Sequence, residues 1–196
     1  MPVIDCDPEA AREQLEVAGV EVAAGNTEHE RWRASHAGAT AVAYDDTVVV
    51  QGEAPARLVG LLDDAGGRAH LYFDGGARGN PGEAAVGWVL VTAEGIAAEA
   101  GDRIGRATNN QAEYEALVRG LEAAVDYGFE ELVVRGDSEL VVRQVRGEYD
   151  TNDPTLREKR VRVRELLAAV EEWTIEHVPR EINDRADELL NDALDG

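Results

Sequence analysis

Lysine is all but missing from this chain: Lys159 is the only one, and 19 basic side chains face 40 acidic ones, a net charge of −21. Such an excess repels a polyanion at long range and, taken alone, argues against nucleic-acid binding. Cysteine is equally scarce. A single thiol, Cys6, excludes an internal disulfide and leaves no second sulfur to share a metal. Long apolar runs are absent too, so no stretch reads as a membrane-spanning helix, and the opening MPVIDCDPEAAREQLE lacks the basic-then-apolar pattern of a secretory leader. These absences describe a cytoplasmic protein. At 196 residues the chain has room for one ordinary domain and a modest extra module.

The first 65 or so residues read as that module, small and α+β. Helical spacing runs over 10–18, with a second helix expected over 27–36. Two short β-like runs follow at 39–44 and 47–50, turning at Asp45-Asp46, and a helical stretch over 54–62 closes the module. The segment DDAGG at 63–67 reads as a linker, because paired glycines interrupt regular structure. From Arg68 onward strands and helices alternate, which points to an α/β domain over 68–196. Strands are expected at 69–74, 84–92, 96–104, 131–135 and 173–178, and helices at 109–127, 138–146, 154–172 and 183–194. Three antiparallel strands followed by two reached through helices suggest a mixed five-stranded sheet with right-handed crossovers.

Four acids stand where ordinary folding does not ask for them. Asp74 ends the first strand of this domain, beside the glycine-rich GGARGNPG, a place where open α/β sheets often keep their chemistry. A turn-forming Asp is the plainer alternative. Glu113 lies one turn before Leu117 on the stripe that Leu117, Leu121, Ala124 and Val125 bury, so it is either neutral or paired with a cation. A Glu complementing the helix dipole competes with that reading. Asp137, in GDSEL, ends another strand just before a helix, where an Asp also serves as an N-cap. Asp187, in ADELLNDAL, flanks the apolar face of the last helix. With so many acids in the chain only convergence is informative. If the strands bearing Asp74 and Asp137 are neighbours, all four carboxylates meet at one sheet edge, an oxygen-only set that suits Mg²⁺ or Mn²⁺ better than zinc.

In order along the chain, YFDGGARGNPG, TNNQAEYEAL, GDSELVV and ADELLNDAL resemble the motifs of the type 1 ribonuclease H family, over about residues 68–196. The resemblance implies a ribonuclease H-like mixed sheet of order 3-2-1-4-5, with strands 1 to 3 antiparallel and helices on its faces. It implies that Asp74, Glu113, Asp137 and Asp187 bind two divalent ions about 4 Å apart, which activate a water and stabilise the leaving 3′ oxygen. The expected substrate is an RNA·DNA hybrid, whose RNA strand is cut to leave 5′-phosphate and 3′-hydroxyl ends. Gly75, Asn80, Asn109 and Asn110 match substrate-binding positions; the amides suit a 2′-hydroxyl because they both donate and accept. Turn and cap formation is the other account of these asparagines.

The departures matter as much. Residues 148–154 are short and acidic where many bacterial members carry a basic protrusion. Many members also place a mobile histidine before the final acid; here the segment is HVPREINDRAD, and both His177 and Arg180 are candidates for that role, with the exposed Arg180 favoured. His70 reads as structural. The N-terminal module, with 13 acids against 4 arginines, does not resemble a basic hybrid-binding domain, and Trp32 reads as a packed core residue. No protein partner is evident, and a monomer is expected. A related nuclease of broader substrate range on the same fold stays open as the alternative. The acidic, lysine-poor composition resembles that of proteins from salt-loving cells. At about 1 M salt the Debye length falls to about 3 Å, which removes long-range repulsion from a polyanion and leaves direct contacts intact.

Overall fold

A computed structural model describes residues 2–53, 55–62 and 67–196. The chain divides into two compact units, residues 1–67 with 91–97 and residues 68–90 with 98–196.

In the first unit five strands, β1 (Val3–Asp5), β2 (Val22–Ala24), β3 (Trp32–His36), β4 (Ala39–Ala43) and β5 (Thr47–Gly52), form an antiparallel sheet ordered β1-β5-β4-β3-β2. Helices α1 (Pro8–Val17) and α2 (Pro55–Leu62) belong to the same unit. The helix expected over 27–36 is not formed: this stretch ends in strand β3. The apolar residues Trp32 and Ala34 alternate with Arg33 and Ser35, and period-two burial against β4 outweighs local helical spacing. Trp32 is buried and its indole N–H donates to the Pro8 carbonyl at 2.7 Å, so it is a core residue. The expected linker lies, apart from Gly67, outside the described residues.

The second sheet is made of strands β6 (Arg68–Gly79), β7 (Gly82–Thr92), β8 (Gly95–Ala107), β9 (Glu131–Gly136) and β10 (Glu172–His177), ordered β8-β7-β6-β9-β10, and apart from residues 91–97 it lies in the second unit. Two-residue connections join β6 to β7 and β7 to β8, while β9 pairs parallel to both β6 and β10. Leu132, Val133 and Val134 of β9 are all buried, as expected of a strand covered on both faces. Helices α3 (Asn109–Asp126), α4 (Glu139–Arg146), α5 (Pro154–Leu167) and α6 (Asp184–Asp195) complete the unit. Their boundaries follow local chemistry. Thr108 and Gln111 close a reciprocal capping box on α3, Asp153 caps α5 with Pro154 in its first turn, and Gly147, at φ +79°, ends α4. Two sequence expectations shift here: α5 stops at Leu167 instead of reaching 172, and β6 continues to Gly79, so Asp74 lies inside a strand and not at its end.

Candidate metal centre

The parallel pairing of β6 with β9 places Phe73 opposite Gly136, so the next residues, Asp74 and Asp137, stand side by side. Asp137 is not the helix cap: Ser138 takes that role, its hydroxyl accepting from the Val141 amide, and the carboxylate is left free. Glu113 reaches the same point from the first turns of α3. It gets there because Gly75 has no side chain. A Cβ on Gly75 would lie 2.1 Å from the Ala112 carbonyl carbon and 2.3 Å from the Glu113 nitrogen, so helix and strand meet backbone to backbone. Helix α6, bearing Asp187, lies over Gly87 of β7 and Gly101 of β8 on the same principle; a Cβ at Gly87 would sit 2.1 Å from the Ala186 oxygen.

Asp74, Glu113 and Asp137 thus offer carboxylate oxygens that all lie within 4.8 Å of one another. Burial, the proximity of Asp137 and Asp187, and a hydrogen bond to Asp187 push the Asp74 carboxyl up to about 8. Near neutral pH, without a cation, it keeps its proton and donates to Asp187. Burial also raises Glu113 well above the usual carboxylate range, with Asp74 and Asp137 adding to it, although the Gly75 amide donates to its charged form. Its Oε2 is buried and makes no hydrogen bond. A buried carboxylate oxygen without a partner, beside two more carboxylates, is the arrangement a hard divalent cation satisfies and a folded core otherwise avoids. The donor set therefore fits Mg²⁺ or Mn²⁺.

Asp187 stands at the border of this cluster, hydrogen-bonded to Asp74 on one side and ion-paired with Arg180 on the other. Arg180 comes from the 3₁₀ turn Arg180–Ile182, and Asp74 and Asp137 also act on it electrostatically. His177 closes β10 opposite Gly136 and is exposed; among the described residues the ion pair to Asp187 comes from Arg180. His70 is structural, its Nδ1 bonded to Arg135 at 2.8 Å, and desolvation with the Arg135 charge lowers its pKa.

The asparagines divide. Asn80 Oδ1 accepts from the Asn109 amide at 3.2 Å, and Asn109 Oδ1 accepts from the Ala77 amide at 2.8 Å, so both hold the strand turn to the start of α3. Asn110 is exposed beside them. One residue near the cluster escapes a reading of the sequence. Asn183 resembles an ordinary cap before α6, yet it is buried, and its side-chain amide donates to the Phe73 carbonyl at 2.9 Å.

A five-stranded mixed sheet with a carboxylate cluster between its central parallel strands and the helices defines a ribonuclease H-like metal-dependent fold. Residues 72–193 match the family described as reverse transcriptase-like. Ribonuclease HI of Halobacterium salinarum is 58% identical over 197 residues, covering 100% of this chain and 99% of its own length. The solved structure of RNase H1 from the halophilic archaeon Halobacterium salinarum NRC-1 is 65% identical over 66% of this chain and 98% of that one, with a TM-score of 0.64. LC11-RNase H1, solved in complex with an RNA/DNA hybrid, is 44% identical over 65% of this chain and 96% of its own, with a TM-score of 0.62. The chain belongs to the ribonuclease HI family.

Proposed function

We propose that this protein is an endoribonuclease that hydrolyses the RNA strand of RNA·DNA hybrids, with Asp74, Glu113, Asp137 and Asp187 holding two divalent cations, Mg²⁺ or Mn²⁺. The observation that carries the reading is the meeting of Asp74, Glu113 and Asp137 within 4.8 Å of one another, with Asp187 beside Asp74. Two bound cations would supply an activated water and charge neutralisation at the leaving oxygen, giving 5′-phosphate and 3′-hydroxyl ends. The protein's own part is to orient. Strands β6 and β9 fix two carboxylates, α3 brings the third against Gly75, and α6 carries the fourth.

Arg180, with 68% of its side chain exposed beside Asp187, is suited to contact a phosphate of the substrate or product through its planar fork of donors. His177, at the end of β10, is the weaker candidate for that task. The exposed Asn80, Asn109 and Asn110, with the backbone at Gly75 behind them, are the groups to read the sugar edge of the RNA strand. Catalysis belongs to residues 68–196, in the cytoplasm, and the N-terminal unit supplies none of these side chains. Among the described residues no helix is long and apolar enough to cross a membrane. The complex of LC11-RNase H1 with a hybrid supports the choice of substrate.

The test is cleavage of labelled RNA·DNA hybrid, DNA duplex and RNA duplex with Mn²⁺ or Mg²⁺, in low and in molar salt. Cutting confined to the RNA strand of the hybrid is expected. Equal cleavage of the DNA duplex would point to a different nuclease on this fold.

A further inference from the structure

An asparagine directly before a helix ordinarily turns its side chain to the free amides of the first turn. Asn183 precedes α6 and does not: its side chain makes no cap hydrogen bond. It is instead 1% exposed, and its Nδ2 donates to the Phe73 carbonyl at 2.9 Å. Only the nitrogen end of an amide can face a carbonyl, so the orientation is fixed and Oδ1 is left buried with no partner. Two costs are therefore accepted at one position, a forfeited cap and an orphaned acceptor, and neither serves the helix.

The backbone of the same residue explains where the benefit lies. Asn183 N donates to the Arg180 carbonyl at 2.9 Å, and Asn183 O accepts from the Asp187 amide at 3.1 Å. Phe73 immediately precedes Asp74. Through three hydrogen bonds Asn183 joins the strand that carries Asp74, the turn that carries Arg180 and the helix that carries Asp187.

We propose that Asn183 is a positioning residue, the tie that sets where Asp187 and Arg180 stand relative to Asp74. This rests on the reading of the four acids as a cation site. Groups that orient metal ligands typically change metal affinity or activity ten- to a hundredfold when removed.

The experiment measures Mn²⁺ binding by calorimetry, thermal stability, and kcat and KM on a hybrid, for the wild type, Asn183→Leu, Asn183→Ser and Asp137→Asn. Leucine fills the amide's space without a donor, while serine keeps a shorter one. Asn183→Leu is expected to keep a Tm close to that of the wild type, because losing the orphaned oxygen offsets leaving the Phe73 carbonyl without this donor. It should nonetheless bind Mn²⁺ about ten- to a hundredfold more weakly and lose kcat in proportion, with KM for the hybrid unchanged. Asn183→Ser is expected to fall between it and the wild type. Wild-type Mn²⁺ affinity and kcat in a folded Asn183→Leu overturn the proposal, whatever happens to Tm. If Asn183→Leu does not fold, Asn183→Ser decides: weakened Mn²⁺ binding supports the tie and unchanged binding overturns it. Loss of the fold in both variants also overturns it, since a tie local to the site does not carry the whole domain. Should Asp137→Asn bind Mn²⁺ as tightly as the wild type, the cation site itself is wrong, and this inference goes with it.

Discussion

Asp74 bears a sharp electrostatic conflict, being buried and close to three other carboxyl groups. Its pKa, pushed up to about 8 against an ordinary Asp value near 4, fixes the sign of two effects. In the metal-free protein the folded state holds a proton on Asp74 that the unfolded chain has released, so this group's contribution to folding stability falls as pH rises from about 4 to about 8. A cation must displace that same proton. Apparent Mn²⁺ affinity is therefore expected to rise by up to about tenfold per pH unit between pH 6 and 8, measurable by calorimetry at each pH, and a flat profile would contradict the assignment. Replacing Asp137 by Asn removes a ligand from the same cluster. Turnover on hybrid should drop by roughly a thousandfold, several kcal/mol of transition-state stabilisation, with the far-UV spectrum unchanged. Arg180→Ala should lower kcat by about tenfold, the loss of one charge-assisted contact, while His177→Ala leaves it within about twofold. The reverse ranking would transfer the role to His177.

At the level of elements, the cluster depends on how closely helices can lie on strands. Gly75→Ala places a methyl carbon 2.1 Å from the backbone of α3, so strand and helix must part. A loss of about 1–3 kcal/mol in stability is expected from urea unfolding, together with nearly complete loss of activity, because Glu113 moves with the helix. Much of this arrangement was legible in the sequence. The long helix and the parallel crossover follow from spacing, whereas the acids at 74, 113, 137 and 187 stood out only as candidates and were joined into one site by the resemblance that the four motifs carry. Other features were not legible, for definable reasons. The strand at Trp32–His36 was hidden because helical and β periodicity differ little over so short a run, and pairing with β4 decides between them. The extension of β6 beyond Asp74 was hidden because glycines normally break a strand, whereas Gly75 is here required by the approach of α3. Asn183 was hidden because an asparagine before a helix has an ordinary explanation, and only burial and a partner 110 residues away reveal another.

Across the whole molecule the net charge of −21 sets the conditions under which the site can work. Repulsion among surface acids destabilises the compact state, and a polyanionic hybrid approaches against the same field, so salt is needed to screen both. Thermal unfolding is expected to shift to higher temperature between 0.1 and about 1 M KCl by at least about 2 °C, the effect of roughly 1 kcal/mol or more. A stability maximum at low salt would remove the adaptation to salt from the account. None of this matters unless side chains drawn from β6, α3, β9 and α6 grip cations together. Anomalous scattering from crystals grown with Mn²⁺ tests that most directly. The strongest peak should lie in contact with Asp74, Glu113 and Asp137, with a second beside Asp187; a cluster without density, and Mn²⁺ only on scattered surface acids, would contradict it.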